Sequence, residues 1–384
     1  MISTDRAMLG ESVSTGDAIN RHRQYGTHVE KLDIIIFSST GYQTKKLADN
    51  VFCYPTNSPS KLLFTSYAKK IARNLYNQGG YDLIVCQDPF LTGLVGKYLA
   101  NKFNSKLLIH FHGDFWDNSY WLKDNFLNYL LLLISKFTVP SADAIRVVSS
   151  GIAKKLISSG IDKKKIKVIP TPVDLQRFEA PNNQTVDSIK SEFKGKKIIF
   201  WVGRMNREKN IPWFLSILPD LIKKYPNFIF LLAGKGERFD LVQRKVVKLN
   251  LSDHVKLLGH VAYNNLPNYY HASDIFVLPS LHESLGKVLL EAAATAKPAV
   301  ASKTTGATEI IRDKESGFLV PINDKKKFIS SLEKLLSDQK LAAKLGSNAY
   351  DNVLKDFNYK GGINTIINYW EEVSIGFDTK SSKI

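Results

Sequence analysis

Residues 197–233 read KIIFWVGRMNREKNIPWFLSILPDLIKKYPNFIFLLA. This segment contains two apolar runs, Lys197–Val202 and Phe228–Ala233, on either side of a helical pattern from Ile211 to Lys224. Short apolar runs bounded by turn residues indicate buried strands, whereas apolar residues recurring every three or four positions indicate a helix. Two strands joined by a helix of this length are typical of a crossover unit in a parallel sheet. The segment therefore predicts an α/β fold.

The same alternation extends in both directions from this unit. Towards the amino terminus, the predicted strands are Leu32–Ser38, Val51–Tyr54, Tyr81–Cys86, Ser105–His110, Ala144–Val148 and Ile166–Ile169. The helical patterns between them are Asp17–Val29, Lys61–Tyr76, Leu91–Lys102 and Leu122–Phe137. Towards the carboxyl terminus, we predict helix Arg238–Lys248, strand Val255–Leu258, a turn at Pro267, strand Ile275–Val277, a helix from about Gly286, strands Ala299–Ser302 and Phe318–Val320, and three final helices. This rhythm predicts parallel sheets throughout.

A chain of 384 residues is too long for one ordinary core. The polar stretch Ala180–Thr185 interrupts the alternation and is predicted to be a linker. We therefore expect domains at 1–180 and 181–360, followed by a helix and tail at 361–384, for which a return to the first domain is left open. The predicted fold class is α/β, with two doubly wound, Rossmann-like domains facing across a cleft. A further strand at the very start of the chain, before those given above, would have only about four residues. It is therefore either short or incomplete at its start.

The densest set of chemically active residues lies at 279–298, which reads PSLHESLGKVLLEAAATAKP. Glu283 follows an apolar strand, Glu291 lies in the next helix, and Gly286 between them permits close approach of the backbone to a ligand. Free amides at the start of this helix are suited to a diphosphate, and the two carboxylates are suited to sugar hydroxyls. The structural alternative is that Glu283 caps the helix and Glu291 pairs with Lys287.

Two further clusters follow strands of the second domain. Gly203 and Arg204 end the strand Lys197–Val202, and Lys209 follows in the same turn, where two cations can converge on phosphate oxygens. Such cations stabilise the charge that develops on a departing diphosphate, although a solvated, charged turn is an alternative. The sequence Gly234-Lys-Gly236 also follows a strand, but it does not continue into a dinucleotide fingerprint. A nicotinamide dehydrogenase is therefore poorly supported.

In the first domain, His110, His112 and Asp114 lie at the end of a predicted strand. The two histidines are two positions apart and are expected on the same face of the strand. A metal pair is conceivable but lacks a third ligand nearby, and a structural histidine is the alternative. The chain contains no Asp-x-Asp sequence that would clamp a divalent metal on a nucleotide diphosphate. The Gly-Asp sequence after His112 favours a position of this strand end at the cleft, and no divalent-metal clamp for the diphosphate is predicted.

Taken together, these blocks resemble the retaining nucleotide-sugar transferases of glycosyltransferase family 4, which have the GT-B fold. The resemblance is strong from about Ser149 to Val320 and looser before it. The matching positions are Gly203, Arg204 and Lys209 for the Gly-Arg…Lys element, Glu283 and Glu291 for the Glu-x7-Glu element, 168–178 for the strand leading to the linker, and 306–309 and 317–320 for a donor-side loop and strand. The blocks occur in the order that this family shows.

The resemblance implies roles for the matched positions. Arg204 and Lys209 would bind the donor diphosphate, Glu283 and His112 would contact the transferred sugar, and Glu291 would bind the ribose hydroxyls. The implied catalytic residues are Glu283, Arg204, Lys209 and His112, and the implied donor-binding residues are Gly203, Gly234, Gly286, Lys287, Val288 and Glu291. Two positions depart from the family pattern. Leu285 replaces a common aromatic residue, which weakens inference about the donor, and Gly10 stands alone in a loop where the family has a glycine pair. Gly10 and Asp114 are the predicted acceptor-side positions.

We accordingly predict a retaining hexosyltransferase that uses a nucleotide diphosphate sugar and no cofactor. The family mechanism is front-face transfer, in which the departing diphosphate helps to deprotonate the acceptor hydroxyl of a glycan or lipid-linked glycan. Alternatives are a sugar-nucleotide epimerase or glycan phosphorylase of the same fold, or a catalytically silent nucleotide-sugar-binding subunit. A phosphorylase would need a pyridoxal phosphate lysine, which the sequence does not reveal.

The net charge of +17 is spread over the chain, because 23 basic and 15 acidic residues lie up to Ala180 and 30 and 21 lie beyond it. No nucleic-acid-binding motif accompanies this charge, so we predict no nucleic-acid partner.

The helical pattern Lys61–Tyr76 is basic on one face and apolar on the other, which suggests docking on an anionic membrane surface. The basic candidates are Lys61, Lys69, Lys70 and Arg73; a solvated face is the alternative. With two cysteines and no evident signal peptide, we expect a cytoplasmic protein, with peripheral attachment to the membrane left open.

Overall fold

The computed structural model describes residues 1–10 and 18–376, which form two compact units. The first unit contains Met1–Asn118, Asn125–Pro172 and the segment from Lys360, and the second contains Ser119–Asp124 and Val173–Tyr359. The division at 172/173 comes earlier in the chain than the boundary predicted at 180/181. Residues 119–124 join the second unit, which the sequence did not suggest.

The chain up to residue 172 builds one mixed sheet. Its strands are β1 (Ile2–Ser3), β2 (Leu32–Ile36), β3 (Lys45–Ala48), β4 (Val51–Pro55), β5 (Leu83–Cys86), β6 (Lys106–Phe111), β7 (Ala144–Val147) and β8 (Ile166–Val168). Its helices are α1 (Ala18–Gly26), α2 (Phe64–Tyr76), α3 (Leu91–Phe103), α4 (Ser119–Asp124), α5 (Leu127–Thr138) and α6 (Ser150–Ser158). The strand order is β3-β4-β2-β1-β5-β6-β7-β8, and every pair is parallel except β3–β4.

Three details of this half differ from the sequence prediction. The helix predicted at Leu122–Phe137 is two helices, because the Asn125 side chain accepts a hydrogen bond from the Leu127 amide at 2.9 Å and starts α5 afresh. The antiparallel edge strand β3 was not predicted, since its polar sequence has only Leu47 buried. The first strand has only two residues, yet Ile2 pairs with both β2 and β5 at the centre of the sheet.

The second unit contains a six-stranded, entirely parallel sheet. Its strands are β9 (Lys197–Val202), β10 (Phe228–Ala233), β11 (Val255–Gly259), β12 (Ile275–Leu278), β13 (Ala299–Ser302) and β14 (Gly317–Val320). Its helices are α7 (Asn183–Glu192), α8 (Ile211–Ile222), α9 (Phe239–Lys248), α10 (Leu266–Ala272), α11 (Lys287–Ala294), α12 (Ala307–Ile310), α13 (Lys325–Ser337) and α14 (Gln339–Asp356). The order β11-β10-β9-β12-β13-β14 is that of a Rossmann sheet.

Two predicted loop segments of this unit are helical. The supposed linker Ala180–Thr185 contains the start of α7, where the Asn182 side chain caps the helix by accepting from the Thr185 amide at 2.9 Å. The turn predicted at Pro267 is the first turn of α10, a position that tolerates proline because its amide would have no helical acceptor. Cap residues were therefore mistaken for loop residues.

The last helix, α15 (Tyr359–Ile375), packs on the first unit. The Tyr369 hydroxyl donates to the Lys165 carbonyl at 3.2 Å, and Lys167 pairs with Glu372 at 2.7 Å. The Trp370 ring also lies 5.1 Å from that of Tyr25. These contacts bring the end of the chain back to the sheet with which the chain begins.

The central strands of both sheets are largely buried, whereas the edge strands β3, β8 and β11 are mostly half-buried or exposed. Every residue of β10 and β12 is buried, and Trp201 of β9 is among the largest fully buried side chains. Such continuous apolar strands are typical of parallel sheets covered by helices. The predicted α/β class, with a parallel sheet in each of two units, is confirmed. Among the described residues, no helix combines the length and apolarity needed to cross a bilayer.

A glycine in α14 provides a test of the packing in the second unit. In a helix interior, alanine is ordinarily favoured over glycine by about 1 kcal/mol. At Gly346, however, an added Cβ would lie 2.1 Å from the backbone oxygen of Ala296. We expect Gly346→Ala to lower the free energy of unfolding by about 1–3 kcal/mol in urea titrations. Gly79→Ala, whose added Cβ has no atom within 4 Å, is the control and should change little. A stabilised Gly346→Ala protein would show that this contact is not tight.

Candidate active site

The predicted donor residues converge where the strand order of the second sheet reverses. Strand β9 lies between β10 and β12, so the loops after β9 and β12 leave the same carboxyl edge in opposite directions. These loops are joined by two hydrogen bonds. The Leu281 amide donates to the Glu208 carbonyl at 2.8 Å, and the Asn210 side chain donates to the Pro279 carbonyl at 3.2 Å. The two clusters singled out in the sequence thus form one surface.

The contact at the centre of this surface is an ion pair between Lys209 and Glu283. The Lys209 ammonium lies 2.5 Å from Oε1 of Glu283, and the Ser280 hydroxyl donates to the same oxygen at 2.8 Å. Both charged side chains are largely buried, with 19% and 10% of their surfaces exposed. Within the described part of the chain, no residue donates to Oε2 of Glu283. One carboxylate oxygen is therefore fixed, and the other is available to a ligand.

Arg204 differs from Lys209 in having no counter-charge. It is exposed, and its guanidinium makes no ion pair or side-chain hydrogen bond with any residue in the ranges 1–10 and 18–376. A guanidinium presents donors in a planar fork that suits phosphate oxygens. The loop after β9 therefore carries Arg204 as an unpaired cation, whereas Lys209 in the same loop is already held by a carboxylate.

The glycines after β9 and β10 allow two turns to pack against each other. The Gly203 amide donates to the Ala233 carbonyl at 3.1 Å. Gly234 has φ of +134°, and an added Cβ would lie 1.9 Å from the Gly203 oxygen. At Gly236 an added Cβ would lie 2.7 Å from the Met205 amide nitrogen. The Gly-Lys-Gly sequence is thus required by close backbone packing, whatever it contributes to a ligand.

Gly286 starts α11 at the carboxyl side of β12. Its φ of +77° is in the left-handed region, and its carbonyl accepts the Leu289 amide at 2.8 Å. The amides of Lys287 and Val288 belong to the first helical turn and have no acceptor within the helix. The neighbouring loop after β13 supports this turn, since the Gly306 amide donates to the Glu283 carbonyl at 2.8 Å. The geometry suits an anion.

Glu291 is buried in α11 and has an unpredicted partner. The Tyr270 hydroxyl of α10 donates to its Oε2 at 2.8 Å. Burial and the negative charge of Glu291 raise the pKa of Tyr270 well above its usual value, which keeps the hydroxyl protonated as a donor. Pairing with Lys287, the structural alternative considered from the sequence, is therefore not needed to explain the carboxylate.

In the first unit, His112 and His110 have different environments. His112 is exposed after β6, and its Nε2 lies 2.7 Å from the side-chain oxygen of Gln87, which follows β5. His110 is buried, with Nδ1 3.5 Å from the Arg146 guanidinium. Burial, followed by the positive charge of Arg146, holds the pKa of His110 well below its usual range. Across the described residues, no group of three His, Cys, Asp or Glu side chains is arranged to hold a metal.

The two acceptor-side candidates have structural partners. Asp114 is buried, and both its oxygens accept from the Lys155 ammonium, at 2.8 and 2.9 Å. Gly10 ends a short 3₁₀ helix with φ of +98°, a conformation that favours glycine. Residues 11–17, which follow Gly10 in the sequence, lie outside the described residues.

Four partners of the candidate residues were missed by sequence reasoning, namely Ser280, Tyr270, Gln87 and Lys155. Ser280 lies three positions before Glu283, within the quoted motif, and could have been noticed as a serine at the end of a strand. Tyr270 and Gln87 left no comparable signal, because each belongs to a different strand–helix unit from the residue that it contacts. Such pairings depend on how the units pack, which local sequence does not specify.

Comparison with known proteins gives a family match in each half of the chain. Residues 183–352 match the family model described as Glycosyl transferases group 1, and residues 30–177 match the model described as Glycosyltransferase Family 4. The chain is 32% identical over 201 residues to UDP-Gal:alpha-D-GlcNAc-diphosphoundecaprenol alpha-1,3-galactosyltransferase of Escherichia coli. That match covers 50% of this chain and 51% of the relative, so the chain spans about half the length of that protein.

Solved structures share the fold over almost the whole chain. Sucrose-phosphate synthase from Thermosynechococcus elongatus has a TM-score of 0.82 at 20% identity, covering 97% of this chain and 98% of its own. Anabaena HepE in complex with UDP and glucose has a TM-score of 0.76 at 17% identity, covering 97% and 99%. At this level of identity, the likeness is one of fold.

The buried Tyr270–Glu291 pair can be tested by removing one hydroxyl. We expect Tyr270→Phe to lower the free energy of unfolding by about 1–3 kcal/mol, because it leaves a buried carboxylate oxygen without this donor. Tyr269→Phe, on the same helix, is the matched control, since the Tyr269 ring is half-buried against Phe200 and its hydroxyl has no hydrogen bond with a described residue. Equal urea midpoints for the two variants would contradict this account of Glu291.

Proposed function

We propose, from the premise that this chain belongs to glycosyltransferase family 4, that it transfers a hexosyl group from a nucleotide diphosphate sugar with retention of configuration. The observation that carries the proposal is the Lys209–Glu283 ion pair at the switch point of the second sheet, in which Lys209 comes from the same loop after β9 as Arg204. Ligands of such sheets bind at this point, and the residues present are those that a diphosphate and a sugar require. The proposal needs neither a metal nor a cofactor.

The diphosphate would be bound by Arg204 and Lys209 together with the amides of Lys287 and Val288. Cations and helix-start amides stabilise the negative charge that develops on the departing diphosphate. Lys209 is already held in place by Glu283, so little reorganisation is needed when the donor arrives. Arg204 is unpaired and gains a partner only when the phosphates bind. The two cations thus differ in that Lys209 is paired with Glu283 before the donor binds, whereas Arg204 is paired only with the donor.

The two carboxylates would bind the hydroxyl groups of the sugar and the ribose. Glu283 has one oxygen fixed by Lys209 and Ser280, and its second oxygen would accept hydroxyl groups of the transferred sugar. Glu291, oriented by Tyr270, would accept the ribose hydroxyls. A site built to accept hydroxyl hydrogen bonds discriminates strongly against analogues that lack them. The carboxylates therefore supply specificity, whereas the cations supply charge stabilisation.

For the transfer step, we propose attack of an acceptor hydroxyl on the face from which the diphosphate departs. The new bond joins the acceptor oxygen to the anomeric carbon as the bond to the diphosphate breaks. The hydroxyl proton goes to a departing phosphate oxygen, so no pair of carboxylates with glycosidase spacing is needed. His112 remains the candidate of the first unit for contact with the transferred sugar. Asp114 is assigned to supporting its loop through Lys155.

The donor base and the acceptor are drawn from the relatives. The Escherichia coli relative is named for UDP-galactose and a diphosphoundecaprenol-linked acceptor, and HepE was solved with UDP. We therefore propose a uridine nucleotide donor and a lipid-linked glycan acceptor. Such an acceptor implies an anionic membrane surface, with Lys61, Lys69, Lys70 and Arg73 as the predicted contacts. These residues lie in or just before α2, and all are at least partly exposed.

Three rival functions make different predictions. A glycan phosphorylase would show the absorbance of pyridoxal phosphate in the purified protein, and an epimerase would convert the nucleotide sugar without an acceptor. A silent subunit would bind donor without turning it over. Incubation with a panel of nucleotide sugars and acceptors, followed by chromatography, separates all three from a transferase.

The cation assignment predicts a large loss of turnover in two variants. Arg204→Ala and Lys209→Ala should each lower kcat roughly 100- to 1000-fold, the scale of removing one preorganised charge-stabilising group. Arg244→Ala is the control, because Arg244 is exposed on α9 and forms no ion pair within 1–10 or 18–376. Turnover near that of the wild type in both test variants would show that the diphosphate binds elsewhere.

The carboxylates and the metal independence are tested in a second set of measurements. Glu283→Gln should nearly abolish transfer, whereas Glu291→Gln should chiefly raise the KM for the donor by weakening ribose binding. EDTA should leave the wild-type rate unchanged. Loss of activity in EDTA, restored by magnesium or manganese, would overturn the assignment of the diphosphate to cationic side chains.

A further inference from the structure

Helix α5 carries its polar residues inward and its apolar residues outward. Its buried side chains are Asn128, Ser135 and Thr138. The exposed apolar side chains on and next to it are between 49% and 86% exposed, and they are Phe126, Leu127, Tyr129, Leu130, Leu133 and Phe137. A surface helix of a globular protein shows the opposite arrangement.

The inward polar residues are well accommodated. The Ser135 hydroxyl accepts from the Trp116 indole nitrogen at 2.8 Å, and the Thr138 hydroxyl donates to the Pro89 carbonyl at 2.5 Å. Gly93 of α3 makes room for Thr138, since a Cβ added there would lie 3.2 Å from its hydroxyl oxygen. Because this face is hydrogen-bonded and closely packed, a rotation of α5 that buried its apolar side would break these contacts. The outward apolar face is therefore built into the fold.

The spacing of the exposed residues makes a continuous stripe. Phe126, Leu130, Leu133 and Phe137 recur at intervals of four, three and four residues, which places them on one side of a helix. We name these four residues the α5 stripe. Several large apolar side chains in one row exceed the scattered single residues that are ordinary on a protein surface, and such rows mark interaction sites.

The helices beside the α5 stripe carry charge of one sign. Helix α2 packs on α3, where the Lys69 ammonium lies 4.5 Å from the centre of the Tyr98 ring and Arg73 also contacts that tyrosine. Helix α3 packs on α5, where the Lys97 ammonium lies 3.4 Å from the centre of the Phe137 ring. The three helices contain no acidic residue, and their basic residues are Lys69, Lys70, Arg73, Lys97, Lys102 and Lys136.

We propose that α5 lies in the surface of an anionic bilayer, with its stripe among the acyl chains and the basic residues of α2 and α3 on the headgroups. An apolar stripe on a helix whose packed neighbours α2 and α3 carry only basic charge fits this partner, because acyl chains take up the stripe and anionic lipids attract the basic helices. A second copy of this face would bring like charges together. The inference rests on the proposed lipid-linked acceptor, and it assigns the principal contact to α5, with α2 as its electrostatic support.

Flotation of the full chain with lipid vesicles tests this surface. The wild type should float with vesicles of phosphatidylcholine and phosphatidylglycerol and much less with phosphatidylcholine alone. Replacing all four stripe residues by serine should lower the partition coefficient roughly 100-fold, because four large apolar side chains no longer enter the bilayer. Lys69→Gln, Lys70→Gln and Arg73→Gln together should lower it about 10- to 100-fold at low salt and little at high salt.

A matched control carries four serine substitutions at other exposed apolar positions, namely Ile157, Leu241, Val247 and Leu354, and should float like the wild type. Phe126→Ser alone, at the most exposed position of the stripe, gives a readout that does not depend on the folding of the quadruple variant. Equal flotation of wild type and stripe variants would overturn the proposal. So would a wild-type dimer that the stripe substitutions dissociate while vesicles remain unbound. Calorimetry with UDP and no lipid is run in parallel, so that failure of the donor site is distinguished from failure of this surface.

Discussion

The candidate site depends on the ion pair between Lys209 and Glu283. The pair links the loops after β9 and β12, which leave the second sheet in opposite directions, and it fixes one carboxylate oxygen at 2.5 Å from the ammonium. A largely buried charge is costly unless it is paired, so each residue requires the other. The Ser280 hydroxyl also donates to that oxygen, and the Gly306 amide donates to the Glu283 carbonyl. One oxygen of Glu283 is consequently fixed before any ligand binds, whereas Arg204 is unpaired.

Much of the fold was predictable because the strands are short apolar runs separated by helical patterns. The bounds of β9, β10 and β13 agree with the sequence prediction to the residue. Errors arose where a residue type that is common in loops lies at the start of a helix. Asn182 caps α7, and Pro267 lies in the first turn of α10. Asn125 caused the opposite error. It lies within a stretch that was predicted to be one helix, and its side chain accepts from the Leu127 amide where α4 ends and α5 begins.

The candidate site was predictable as a set of residue types but not as a set of contacts. Glycine, cations and carboxylates after successive strands indicated a phosphate and sugar site, since parallel strands end at one edge. The partners of Glu291 and Asp114 come from helices distant in sequence, Tyr270 from α10 and Lys155 from α6. The sequence also did not indicate which side of α5 faces inward. Its sequence is apolar on most sides, and only the hydrogen bonds of Ser135 and Thr138 determine which side faces inward.

The most direct test of the central claim is a crystal structure of the chain with UDP bound. The account predicts diphosphate oxygens about 3 Å from the Arg204 guanidinium and the Lys209 ammonium, and ribose hydroxyls at the same distance from Glu291. The Lys209–Glu283 pair should persist, with the ammonium contacting carboxylate and phosphate together. A nucleotide bound away from the carboxyl edge of β9 and β12, or one bound there without contact to Arg204 and Lys209, would contradict it.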